Sequence, residues 1–256
     1  MSYKKLNMKY KIIILFFLIS ISKICLSSNL LNEGIELYNS GKFSEARGKF
    51  LSLNNELLNK KLVSSEVLYN IGNCYFRENK LGFARYYYEL AKLVNFHDKD
   101  INYNIKFIKK ITGNEAEESF IEQISNFISF KETLILLFIF NILFFGSLIF
   151  ENFVKMNILK LKWIKRISIL FLLIFLVLSI FKYNYENQIK GIVLEQTDLL
   201  SAPEESSLNK SVSINEAKKV IILSEKDNFY AVYILQDKIQ GWIRKHKVGK
   251  LVARSL

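Results

Sequence analysis

The chain has 256 residues, half of them hydrophobic, and a formal net charge of +12. So apolar a composition exceeds the needs of one soluble domain of this length, and one proline with few glycines excludes a collagen-like or low-complexity chain. The apolar residues gather in three runs, Ile12–Ile21, Leu134–Phe150 and Ile167–Phe181, and ten cations flank them (Lys4, Lys5, Lys9, Lys11, Lys23, Lys155, Lys160, Lys162, Lys165 and Arg166). Membrane-flanking positions therefore account for most of the net charge, and no nucleic-acid partner is expected.

Residues 1–27 have the order of a secretory signal: a basic start, about ten apolar residues, then small polar ones. Cleavage is expected after Ser27, with Ser28 as the neighbouring choice. An uncleaved anchor is the alternative, and a lipoprotein reading would acylate Cys25, though Lys23 and Ile24 suit that signal poorly. Cys25 and Cys74 are the two cysteines, so cleavage leaves Cys74 alone.

Residues 28–111 contain an internal repeat. Gly34 matches Gly72, Leu37 matches Tyr75, Phe43 matches Leu81, Ala46 matches Ala84 and Phe50 matches Tyr88, all at an offset of 38. Gly and Ala stand where paired helices approach closely. Gly41 and Asn79 stand at the turn between them, where both tolerate a left-handed conformation. The second copy, with Leu68, Ile71, Gly72, Tyr75, Ala84, Tyr88 and Ala91 in place, resembles a tetratricopeptide repeat. It departs at Asn79 (for Gly) and Phe96 (for Pro), and the linker of the first copy is four residues too long. A third helix at 98–111 looks like the usual cap. The resemblance implies an all-α domain of two repeats and a cap, with a partner groove lined by the first helix of each pair. That places Leu31 and Ile35, then Tyr69, Asn70, Asn73 and Arg77, on the groove. Asn70, Asn73 and Arg77 are placed to bond a ligand backbone; the competing reading is a solvated polar face. Leu31 and Ile35 stand where a carboxylate clamp would need Lys and Asn, so no such clamp is expected.

Residues 112–132 carry Phe120, Ile124, Phe127 and Ile128 at helical spacing. They are read as an amphipathic linker helix, lying on a membrane or packed back on the repeats. The segments 133–150 and 167–182 are expected to span a membrane, the second with Lys165, Arg166 and Lys182 snorkelling to the interfaces. The loop 151–166 holds five basic residues and one acid, which keeps it cytoplasmic. Both 28–111 and 190–256 are then extracytoplasmic, on the periplasmic side of a bacterial inner membrane.

After Lys190 the pattern becomes short β-branched runs: GIVLEQT, AKKVIILSE, NFYAVYILQ and KIQGWIRK. A polar loop with Pro203, an aromatic strand at Phe229–Leu235 and GWI at Gly241–Ile243 resemble a bacterial SH3-like domain, an all-β barrel over 190–256. The resemblance implies that Trp242 packs into the barrel; stacking on a ligand is the other reading.

No catalytic residue, metal ligand set or cofactor is expected. NSGKFSEA over 39–46 lacks the first Gly and the Ser/Thr of a phosphate loop, no HExxH or GxSxG occurs, and Cys74 sits among apolar helix neighbours. The whole order resembles the BatE-like family of bacterial aerotolerance (Bat) operons. That resemblance implies a non-enzymatic scaffold, with von Willebrand A-domain membrane proteins and, indirectly, a MoxR-type ATPase as partners. The alternative expectation is a peptidoglycan-binding or sensing module.

Overall fold

A computed structural model describes residues 29–115, 127–153, 158–204 and 211–251. The expected signal over 1–27 lies outside them, as does most of the expected linker helix over 112–132. The chain forms two compact units. One joins the segments before 115 and after 189, and the other is 115–189.

In the first unit the N-terminal half is helical: α1 over 29–39, α2 Phe43–Asn59, α3 Ser65–Arg77, α4 Leu81–Val94 and α5 Lys99–Ile111. The offset of 38 reappears in the geometry. A Cβ on Gly34 would meet the Phe50 ring at 2.5 Å, and one on Gly72 would meet the Tyr88 ring at 2.6 Å. Each glycine therefore lets its helix settle onto the ring of the next. The two turns close alike: Gly41 and Asn79 both have left-handed backbones. Lys42 N–H donates to the Leu37 carbonyl as Lys80 N–H donates to that of Tyr75. Ser64 caps α3 by accepting from Val67 N–H, and Asp98 caps α5 by accepting from Asp100 and Ile101 N–H. Phe50, Leu53, Leu68, Ile71, Tyr88, Ile101 and Ile108 fill the core between these helices.

The C-terminal half is a seven-stranded antiparallel sheet: β1 Lys190–Val193, β2 Thr197–Leu200, β3 Ser211–Ile214, β4 Lys219–Lys226, β5 Phe229–Ile234, β6 Ile239–Arg244 and β7 Val248–Leu251. The order is β3-β2-β6-β5-β4-β1-β7. Asp227 and Lys238 take left-handed backbones at the β4–β5 and β5–β6 turns. Val193, Val220, Val232, Ile234 and Ile243 form the core.

The two halves pack directly, along α4. A Cβ on Gly82 would fall onto the Leu194 carbonyl, and one on Gly249 would meet the Tyr86 ring at 2.5 Å. The free N-terminus of α4 has no side-chain cap of its own. Instead the Glu216 carboxylate accepts from Gly82 N–H at 3.0 Å; a carboxylate is favoured at that end of a helix. One turn on, the buried Arg85 guanidinium donates to the Ala217 carbonyl and lies 3.5 Å from Glu89. Glu89 in turn meets Lys219 at 3.6 Å. Ala217 is buried among the helical residues. Its backbone is left-handed, with φ +59°. Asn114, at the end of the helical half, donates its amide to the Glu216 carbonyl and accepts from the Gln236 amide.

In the second unit two helices, α6 Phe130–Phe153 and α7 Ile158–Glu186, pack through Phe140 on Phe171 and Phe175, with ring centroids 4.8 and 5.5 Å apart. Within them, Phe130–Phe150 and Trp163–Glu186, of 21 and 24 residues, are long and apolar enough to cross a membrane. The hydroxyls of Thr133, Ser147 and Ser179 bond carbonyls of Ser129, Phe144 and Phe175, so none is stranded in an apolar setting. Of the basic loop expected over 151–166, residues 151–153 and 158–166 are helical, and 154–157 lie outside the described residues. Lys182, near the end of its apolar run, donates to the Ile128 carbonyl and pairs with Glu186 at 3.7 Å.

Gly82→Ala reverses the usual sign of a helical Gly→Ala exchange. In place of a gain of about 1 kcal/mol, the clash with a backbone carbonyl that cannot swing away costs about 1–3 kcal/mol, read as a lower unfolding midpoint of the detergent-purified chain. Burial alone would raise the Glu89 carboxyl, but the Lys219 and Arg85 charges outweigh it and hold the group at about 2 against an ordinary 4.5. Its stabilising contribution is therefore present above the unfolded value and lost as pH falls from roughly 5 towards 2. Thermal unfolding between pH 7 and pH 3 should show Glu89→Gln less stable at neutral pH and less sensitive to acid than the native chain.

Candidate functional site

The face shared by α3 and α5 carries the groove residues expected from the sequence. All four sit on the outer side of α3, and three are engaged within the protein. The Tyr69 ring packs 5.6 Å from that of Tyr88, and its hydroxyl accepts from the Asn104 amide at 3.2 Å. Asn73 accepts from the Tyr88 hydroxyl at 2.6 Å. Arg77 lies 4.5 Å over the Phe43 ring and 6.0 Å from that of Tyr38, tying α3 to the first hairpin. Asn70 is half-buried, and its side chain has no hydrogen-bond partner among the described residues. Leu31 is half-buried and Ile35 exposed on α1.

Beneath this face the hairpins are locked by ions and rings. Arg47 bonds Glu78 at 3.1 Å and covers the Tyr75 ring at 4.6 Å. Burial opposes the charge on Glu78, yet its hydrogen bonds from Lys80 and Arg47 hold the carboxyl below its ordinary value. Tyr75 stacks on Phe83 and Tyr87. Burial, with Glu78 nearby, pushes the Cys74 thiol up to about 12, which makes it a packed core side chain and a poor nucleophile.

α5 adds what the sequence reading did not assign. Its buried stripe is Ile101, Ile105 and Ile108. On the other side, Tyr103 is 66% and Phe107 38% exposed. The two rings stack at 6.3 Å, and Phe107 meets Phe76 of α3 edge-on at 5.9 Å. Lys99, Lys106 and Lys110 recur at i, i+7 and i+11 on the same side, flanking the rings. The signal was present as a Tyr and a Phe four residues apart, outside the Ile stripe of a helix read as a cap.

In the sheet, Gly241 lets β6 lie close on β2: a Cβ there would meet the Leu199 side chain at 2.5 Å and the Leu200 carbonyl at 2.7 Å. Trp242 is half-buried, and the buried residue of this strand is its neighbour Ile243. Successive strand residues face opposite sides, so Trp242 lies opposite the sheet's core, paired with Ala231 and Leu200. The packing into the barrel implied for Trp242 is thus taken by Ile243. Among the described residues no three His, Cys, Asp or Glu side chains gather as a metal site. No known family, curated protein or solved structure matches the chain.

In the folded chain Cys74 should resist maleimide, and its labelling rate should follow global unfolding. Peptide mass spectrometry separates it from Cys25. Fast labelling under native conditions would contradict the packed state. Tyr88→Phe leaves the Asn73 carbonyl without its donor and should cost about 1 kcal/mol in the same unfolding measurement.

Proposed function

We propose that this protein is a membrane-anchored scaffold of the bacterial envelope, with its helical and sheet halves together on the extracytoplasmic side. One observation carries the reading: the segments before and after the two membrane-length helices pack as one unit through α4. Two halves in direct contact must lie on the same side of a bilayer, which calls for an even number of crossings between them. Two apolar helices supply that number. The basic residues between them favour the cytoplasm for their connection, leaving both halves outside.

The repeated glycine-on-ring packing and matching turns support a tetratricopeptide-like docking domain. The short-stranded sheet suits an SH3-like one. On this reading the α3 face docks partner proteins, with no catalytic step, cofactor or metal in its role. Von Willebrand A-domain membrane proteins and, through them, a MoxR-type ATPase are the partners we propose, by the resemblance to BatE-like chains. A peptidoglycan-binding role is the second reading. It is favoured by Trp242 standing half-exposed beside Leu200.

Because the halves share one interface, point variants test docking better than removal of the helices. The chain carrying Asn70→Arg and Arg77→Glu should lose most of the von Willebrand A-domain proteins that co-purify with the native chain in mild detergent. Absence of such proteins from the native pull-down, with cell-wall fragments retained through Trp242, would replace the scaffold by the wall-binding module. In a Cys25→Ser background, an impermeant maleimide on intact spheroplasts should label Asn39→Cys and Gln240→Cys alike and spare Asn157→Cys. Opposite labelling of residues 39 and 240 would refute the shared side.

A further inference from the structure

We propose that the α5 face of the helical half receives an acidic segment carrying aromatic or apolar side chains, as part of a partner protein. This rests on the scaffold reading and names the chemistry of what the scaffold binds.

The elementary observation concerns unpaired charge. Four cations of the preceding hairpins have acids at hand: Arg47 and Lys80 pair with Glu78, Lys49 with Glu33 and Lys60 with Glu56; Arg77 is instead taken by the Phe43 and Tyr38 rings. Lys99, Lys106 and Lys110 have no ion pair among the described residues. They line one flank of α5 over some three helical turns. Of the acids at the start of α5, Asp98 caps the helix and Asp100 lies in the first turn, where it complements the N-terminus.

The second observation is apolar. Tyr103 and Phe107 run parallel to the lysine row, exposed and stacked, and Phe107 continues onto Phe76 of α3. Lysines beside an open aromatic row set two requirements at once. Negative charge satisfies the first and a flat or apolar side chain the second. An acidic segment with interspersed aromatic or aliphatic residues meets both. An anionic bilayer surface offers the charge as well. However, the aromatic row continues onto Phe76 of α3. A polypeptide can set its acids along the lysine row and its flat side chains on the rings at once, whereas a headgroup layer presents the charge alone.

The test uses the full chain in phosphatidylcholine nanodiscs and a fluorescent Glu/Tyr random copolymer, with polyglutamate, polylysine and phosphatidylglycerol vesicles as comparisons. The copolymer should bind more tightly than polyglutamate, with an affinity that falls as salt rises, and polylysine should not bind. Lys99→Gln/Lys106→Gln/Lys110→Gln, a change confined to the surface, should weaken copolymer binding about tenfold or more at an unchanged melting temperature. Tyr103→Ser should remove the preference for the copolymer over polyglutamate.

Equal binding by the native chain and the triple-lysine variant would overturn the proposal. So would phosphatidylglycerol vesicles binding through these lysines while the copolymer does not, which would assign the face to a bilayer. If von Willebrand A-domain proteins are still captured by the α5 variants but lost with the α3 variant, the scaffold reading stands and this ligand chemistry alone falls.

Discussion

Arg85 sits where an arginine is costly, almost wholly buried on the inner side of α4. Withdrawing a guanidinium from water costs several kcal/mol unless partners replace the lost hydration. Here the partners come from both halves of the chain: Glu89 one helical turn on, and the Ala217 carbonyl from beyond the membrane-length helices. Lys219 from β4 completes a run of alternating charge with Glu89 between two cations. The carbonyl is offered by an alanine in a left-handed backbone, a conformation costing about 1–2 kcal/mol outside glycine. With the sheet docked on the helices, both terminal nitrogens of Arg85 have a partner, while its buried Nε has none among the described residues, and Ala217 is held in its strained turn.

The same interface answers a problem set by the repeat number. Two helical hairpins and a terminal helix are fewer than a repeat stack usually needs, because each hairpin leaves one apolar side to be covered by the next. In this protein the sheet supplies cover along α4. Gly82 and Gly249 bring the backbones together, and Ala217 and Leu251 join the helical core. The stability of the helices and of the sheet is therefore coupled, although 75 residues of another compact unit, 115–189, separate them in sequence.

What the sequence revealed, and what it hid, follows from the range of the interactions. Gly34, Gly72, Phe50 and Tyr88 act between neighbours in the chain, so their packing leaves a periodic trace at an offset of 38. Two uncharged or nearly uncharged apolar runs announce membrane-length helices by composition alone. The docking residues leave no such trace. Gly82 in a helical first turn looks only like weak helix propensity, and Arg85 and Glu89 look like a solvated i, i+4 pair. Their role depends on Glu216 and Ala217, more than 130 positions away. β2 and β3, four residues each and rich in Thr, Asp and Ser, escaped notice because they are stabilised by pairing with each other more than by an apolar alternation. Trp242 misled for a related reason. A tryptophan in a strand signals burial by size, but the two-residue alternation gives the inner side of β6 to Gly241 and Ile243, and Gly241 is needed there because Leu199 fills the space.

The distribution of charge separates structural cations from available ones. Ten flank the apolar runs in sequence, and Arg85 of α4 and Lys219 of β4 are consumed in joining the halves. Arg47, Lys49, Lys60 and Lys80 are taken by local acids. The lysines of α5 belong to none of these groups, and their helix is held by its isoleucine stripe, its Asp98 cap and the bonds of Asn102 and Asn104. Of these three exposed cations only Lys110, in the last turn, complements the helix terminus, and lysines at such positions add little to stability. A helix face that leaves charge and aromatic surface open beside its buried stripe is a place to seek binding energy, and on the helical half that face is α5 with the adjoining edge of α3.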